Sequence, residues 1–192
     1  MKAKSIREKA KPLTERIGKL FGKFGSPNFY TCLTLLFGLL AAYFLSQGRV
    51  LWTVLLFAMS GFFDWVDGAV AKAYNKSTKF GVVFDVTVDK FTEGILYLSF
   101  AWFSVSLFWP AFLAATAFWF SSFESKVAYE INTNAQGGLM ERRERLIGLV
   151  LAILLLPINL QWVSWLLYLL AIGSFITAIE RFFRIKKQAE AK

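Results

Sequence analysis

Apolar positions fill most of the chain in long runs separated by short polar breaks. The start is different: from Met1 to Gly25, Ile6, Ala10, Leu13, Ile17, Leu20 and Phe24 recur at helical steps among eight Lys or Arg residues. That spacing predicts an amphipathic juxtamembrane helix over residues 1–25, ended by Ser26, Pro27 and Asn28. Apolar runs follow at about 29–45, 50–74 and 81–108, then a fourth ending near Tyr129, a fifth at about 146–156 and a sixth at about 162–183. A transmembrane helix needs ~20 residues, a length the fifth run reaches only if its helix begins near Gly138. The breaks are 46–49, a basic loop with Lys72, Asn75, Lys76 and Lys79, an uncharged turn at Trp109 and Pro110, a loop over 132–145, and Pro157 with Asn159. The expected fold is an all-α integral membrane protein, six transmembrane helices in one domain (26–192) preceded by the amphipathic helix (1–25).

Composition agrees, with 56% hydrophobic residues, 21 Phe and 7 Trp in 192 residues. Cys32 is the single cysteine, which removes a disulfide framework and a Cys-based metal site. His is absent, so acid and base work falls to carboxylates, Lys or Tyr. The net charge of +9 is not gathered in a soluble module, which speaks against nucleic acid and for anionic membrane lipids as the partner. Nearly every Lys and Arg lies in the N-terminal segment, the breaks after the second and fourth runs, and the tail after Phe183, while the alternate breaks hold only Arg49. The positive-inside rule then predicts a multi-pass cell-membrane protein with both termini cytoplasmic.

Against this background four acids stand out. Asp64 and Asp67 are three residues apart, and Gly81, Asp85 and Asp89 follow at steps of four, so each group forms one helical stripe. An unpaired charge at the centre of a span costs ~2.5 to 3.5 kcal/mol or more, so something cationic must compensate them. Converging carboxylates suit one or two hard divalent cations, Mg²⁺ first, which share their shell with phosphate oxygens. Gly68, Ala71 and Gly81 lower the helix surface beside the acids, and Lys72 adds a cation there. Acid, small residue and base together suggest a metal-bound diphosphate; helix packing by small-xxx-small faces is the alternative for the small residues.

The pattern D-x2-D-G-x2-A-[R]-x8-G-x3-D-x3-D, matched by Asp64, Asp67, Gly68, Ala71, Gly81, Asp85 and Asp89 with Lys72 at the usual Arg, resembles the signature of the CDP-alcohol phosphatidyltransferase family. The resemblance implies six spans, a homodimer, and two Mg²⁺ ions, with Mn²⁺ able to substitute. It also implies transfer from a CDP-linked lipid to a small alcohol with release of CMP. Asp64, Asp67, Asp85 and Asp89 become metal ligands, the last also the base for the attacking hydroxyl. With both Asp pairs beside the basic loop after the second run, the active site is expected on the cytoplasmic side. Donor contacts are expected from Gly68, Ala71, Lys72, Thr78 and Gly81, and from Asn28 and Thr31 of a P-N-x-x-T element; helix capping is the alternative for Asn28 and Thr78.

For the acceptor, Lys126, Arg142, Arg143, Arg145, Arg181 and Arg184 form a second basic group suited to a phosphorylated alcohol. Topology alone is the other explanation of these residues. The segment E-R-R-E-R-L over 141–146 resembles members that use inositol 1-phosphate, with glycerol 3-phosphate the runner-up. Two other classes fit less well. A membrane prenyltransferase would need more spans and a second Asp-rich motif, and a divalent-cation transporter would need a polar route through spans four to six.

Overall fold

The computed structural model describes residues 2–131, 133 and 137–190; the side chains of residues 2–11, Ile6 and Ala10 among them, those of Tyr129 and Glu130, and positions 132 and 134–136 of the expected loop lie outside the described residues. Among the described residues seven α-helices succeed one another: α1 Lys2–Phe21, α2 Pro27–Ser46, α3 Val50–Ala73, α4 Lys79–Phe103, α5 Phe108–Glu130, α6 Arg142–Leu155 and α7 Leu160–Glu190. The chain forms two compact units, the first from residues 1–40 and 55–92, the second from 41–54 and 93–192.

In the first unit Tyr30, Val66 and Val70 make a buried cluster joined by Ile17, Phe21, Leu33, Phe62 and Phe63. α1 docks on it through the Tyr30 hydroxyl, which donates to the Phe21 carbonyl at 2.7 Å. Gly18 lets the α1 backbone meet α3 at Ala69, where any Cβ would collide. α2 and α3 are tied by Ser60 Oγ, which donates to the Thr34 carbonyl at 2.9 Å.

Helix ends position the loops. Ser26 caps α2 by accepting from the Phe29 N–H at 3.3 Å, and Pro27 takes the first helical position, where its missing N–H costs nothing. α3 ends with Asn75 in the left-handed conformation at φ 51° while the Lys76 N–H reaches back to the Ala71 carbonyl at 3.0 Å, a Schellman ending. Thr78 then opens α4, its Oγ1 accepting from the Gly81 N–H at 2.9 Å.

The second unit packs α5 and α6 on α7 over a core that includes Tyr97, Phe100, Leu107, Phe118, Leu149 and Leu167. Here the elements depart from the hydropathy pattern. α4 stops at Phe103, not 108, because Ser104 is extended (φ −151°, ψ 133°) and starts a short 3-10 turn, Val105–Leu107. Trp109 and Pro110 are not the turn; they sit in the first turn of α5, where a proline is tolerated. α6 begins at Arg142 rather than near Gly138, so its 14 residues extend about 21 Å. Asn159 caps α7 by accepting from the Gln161 N–H at 2.8 Å, and α7 carries helix through the expected tail to Glu190.

Among the described residues four helical stretches are long and apolar enough to cross a membrane, 27–46, 50–73, 105–128 and 160–190. α4 has the length, with 25 residues, but carries Lys79, Asp85, Asp89, Lys90 and Glu93; α6 is too short by composition and length alone. Large apolar side chains stand on the surface, Leu51 at 70%, Trp102 at 73% and Trp165 at 63% exposure, as lipid-facing residues do.

Candidate active site

In the first unit, the start of α2, the end of α3 and the start of α4 enclose a cavity of about 180 Å³. α2 contributes Pro27, Asn28 and Thr31, α3 contributes Asp67, Gly68, Ala71 and Lys72, the connecting turn Lys76, Ser77 and Thr78, and α4 Gly81, Val82 and Asp85. Every expected donor-site residue therefore lines one space. Ser26 holds the cap of α2, which leaves the Asn28 side chain to face the cavity. Thr78 serves both as cap and as lining, because a capping hydroxyl occupies one edge of the same turn.

Asp67 is 5% exposed and Thr31 2%, and Thr31 Oγ1 donates to Asp67 Oδ2 at 2.8 Å. Asp64 and Asp85 both act on Asp67 by like-charge repulsion. Asp89 Oδ2 lies 3.0 Å from Lys90 Nζ. Among the described residues no three carboxylates are gathered closely enough to form a ready metal cage. The donor set still fits a hard divalent cation. It consists of all-oxygen carboxylates whose mutual repulsion a cation would relieve, beside a cavity onto which Gly68 opens with nothing within 4 Å of where a Cβ would stand. At Gly81 a Cβ would come within 3.0 Å of Thr78 Oγ1 and 3.3 Å of Asn28 Oδ1, so glycine keeps this rim slim. Lys76 and Ser77 line the cavity outside the expected set, and the basic polar loop was the signal for them.

The expected acceptor residues separate in the second unit. Arg145 and Arg181 are 3% and 7% exposed, and like-charge repulsion from Arg145 and Arg184 acts on Arg181. Arg181 donates from Nε to the Gly137 carbonyl at 3.1 Å and from Nη1 to the Ser121 carbonyl at 2.9 Å and Ser125 Oγ at 2.8 Å. Arg145 Nη1 donates to the Met140 carbonyl at 3.1 Å, and its guanidinium lies 5.3 Å from the centre of the Phe118 ring. Lys126, Arg142 and Arg143 are exposed, Arg143 pairing with Glu144 at 3.2 Å. Glu93, Glu124 and Tyr97 are buried beside this group and stand outside the expected set. A glutamate one helical turn beyond Asp89 in an otherwise apolar helix is the only trace of Glu93 in the sequence.

A profile of the family CDP-alcohol phosphatidyltransferase matches residues 24–176. The archaetidylinositol phosphate synthase of Pyrococcus horikoshii is 33% identical over 96% of this chain and 97% of its own length. The phosphatidylinositol phosphate synthase of Corynebacterium glutamicum is 28% identical over 97% of this chain and 90% of its own. Among solved structures, Mycobacterium tuberculosis phosphatidylinositol phosphate synthase with CDP-DAG bound superimposes with a TM-score of 0.82 at 22% identity, covering 91% of this chain and 94% of that one. That likeness shows a shared fold.

Proposed function

We propose that this chain, which belongs to the CDP-alcohol phosphatidyltransferase family, moves a lipid phosphate from CDP-archaeol or CDP-diacylglycerol to inositol 1-phosphate and releases CMP. The observation that carries the reading is the cavity that draws the motif residues Asp67, Gly68, Ala71, Lys72, Gly81 and Asp85 around one space. The names of the Pyrococcus and Corynebacterium relatives support the acceptor.

Lys72 and Lys76 give the cavity positive charge for the CDP diphosphate, and Gly68 leaves room for the nucleotide. Asp64, Asp67, Asp85 and Asp89 would hold two Mg²⁺ ions, or Mn²⁺, which when bound spread the diphosphate charge and improve CMP as a leaving group. Thr31 keeps the Asp67 carboxylate in one rotamer. Asp89 takes the proton of the acceptor hydroxyl as its oxygen bonds to the lipid-bearing phosphorus and the bond to CMP breaks. Arg145 and Arg181 grip the acceptor's own phosphate: the hydrogen bonds of each spend Nη1 on protein partners and leave Nη2 without one among the described residues.

The proposal extends to topology, with α4 and α6 as third and fifth spans, both termini and the active site cytoplasmic, residues 26–192 as the transferase domain, α1 as a surface helix and the chain a homodimer. Charge supports the six spans, since the turns at Ser104–Leu107 and at 156–159 carry none while the connections on the other side are basic. The test is purified protein given CDP-lipid and radiolabelled inositol 1-phosphate, glycerol 3-phosphate or free inositol. Inositol 1-phosphate should give lipid product and CMP, with a chelator abolishing both. Preference for glycerol 3-phosphate or free inositol would overturn the acceptor, and full CMP release with excess chelator the metal.

A further inference from the structure

We infer that Glu93 is a positioning residue that holds the buried Arg145 guanidinium where it grips the acceptor phosphate, an inference that rests on the acceptor reading above. Glu93 on α4 and Arg145 in the first turn of α6 are each 3% exposed, and Arg145 Nε lies 3.8 Å from Glu93 Oε1. The guanidinium is thus bounded on three sides. Phe118 lies against its face, the Met140 carbonyl and Ser121 Oγ take Nη1 at 3.1 and 3.4 Å, and Glu93 supplies the opposite charge along the Nε edge.

The need for that charge comes from Arg181. Two guanidiniums buried within electrostatic reach of each other repel, and each side chain is long enough to swing away unless something opposes the repulsion. Arg181 is tied by three hydrogen bonds and has Glu124 as a charge partner. Arg145 has fewer ties, and Glu93 is the carboxylate that balances it.

The length of the contact matters as well. A carboxylate that paired with Arg145 for stability alone would take a bidentate grip near ~2.8 Å and consume two donors. At 3.8 Å the pair is ionic without a hydrogen bond, and Arg145 Nε keeps its hydrogen unspent. Glu93 therefore orients the guanidinium from the Nε edge and leaves Nη2, which has no hydrogen-bond partner among the described residues, to an incoming phosphate. Tyr97, one turn further along α4 and within electrostatic reach of both groups, closes the same pocket of charge.

The experiment is steady-state kinetics of the full-length protein in lipid vesicles containing CDP-diacylglycerol, with inositol 1-phosphate varied, for wild type, Glu93→Gln, Glu93→Asp, Arg145→Ala and the Glu93→Gln/Arg145→Ala double variant. Displacing a binding group by about 1 Å costs up to ~100-fold, so Glu93→Gln should raise the acceptor KM about 10- to 100-fold with the CDP-lipid KM unchanged. Glu93→Asp should fall between it and wild type, and Glu93→Gln should add nothing once Arg145 is gone. Where Glu93→Gln is not recovered folded, Glu93→Asp carries the test alone, and an unaltered acceptor KM there overturns the inference. Equal rises in both KM values, or an effect of Glu93→Gln that persists without Arg145, also overturn it. An unchanged KM in Arg145→Ala sinks the acceptor reading itself, whereas a raised KM there beside an unchanged one in Glu93→Gln sinks only the role of Glu93.

Discussion

Thr31 is the residue whose contribution is most sharply defined by a contact. Its hydroxyl donates to a carboxylate that is 5% exposed, and a buried carboxylate keeps its charge and its rotamer only if something compensates both. The bond does not neutralise Asp67; it points the carboxylate. A hydrogen bond to a charged group is worth ~1.5 to 3 kcal/mol, so Thr31→Val, equal in shape but lacking the hydroxyl, should raise the Mg²⁺ concentration for half-maximal activity by ~10- to 100-fold. The acceptor KM should stay as it was, and Thr31→Ser should restore the wild-type response. Titrating CMP release against Mg²⁺ reads this directly. An unaltered Mg²⁺ dependence in Thr31→Val would mean that Thr31 only packs α2 against α3.

At the scale of elements, the turn between α3 and α4 does the positioning. Asn75 ends α3 and Thr78 starts α4 within three residues, and the same short segment sets Lys76, Ser77 and Thr78 on the cavity wall. A cap hydroxyl is worth about 1 kcal/mol, so Thr78→Ala should lower unfolding free energy by about that amount. Because α4's first two turns carry Gly81 and Asp85 into the cavity, the same variant should weaken CDP-lipid binding, while Thr78→Ser should do neither. Thermal unfolding in detergent alongside a donor-binding isotherm separates the two effects. Lost binding with full stability would show that the hydroxyl touches the donor and is not needed as a cap.

For the whole molecule the governing quantity is the distribution of charge along a chain whose surface is largely apolar. Lys187 lies on the exposed side of the end of α7, and Gln47 in the turn after α2. In a Cys32→Ser background, Lys187→Cys should react with a membrane-impermeant maleimide only in inside-out vesicles, and Gln47→Cys only in right-side-out ones. Labelling of both from one face would require an even number of crossings between them and contradict six spans. The same background avoids the single native thiol, which is itself exposed.

The sequence by itself determined what is local or periodic: the apolar runs, the four acids on two helical stripes, the small residues beside them and the alternation of basic turns. These follow from composition and from the 3.6-residue repeat, and the cavity collects Asn28, Thr31, Gly68, Ala71, Lys72, Thr78 and Gly81 as that repeat implies. Tertiary structure decided what depends on neighbours distant in the chain. Asn28 and Ser26 are equally good caps by residue type, and only the backbone geometry at Pro27 assigns the cap to Ser26. Arg142, Arg143 and Arg145 read alike in sequence, yet the phase of α6 against α7 and α5 buries Arg145 and leaves the others exposed. The break at Ser104 lies inside an apolar run and has no hydropathy signal; the extended φ and ψ there start a 3-10 turn that packs against α5 and α7. Glu93 is the extreme case: a charge in an apolar helix is costly alone, and its stability rests on Arg145, fifty-two positions away in the chain but 3.8 Å away in space.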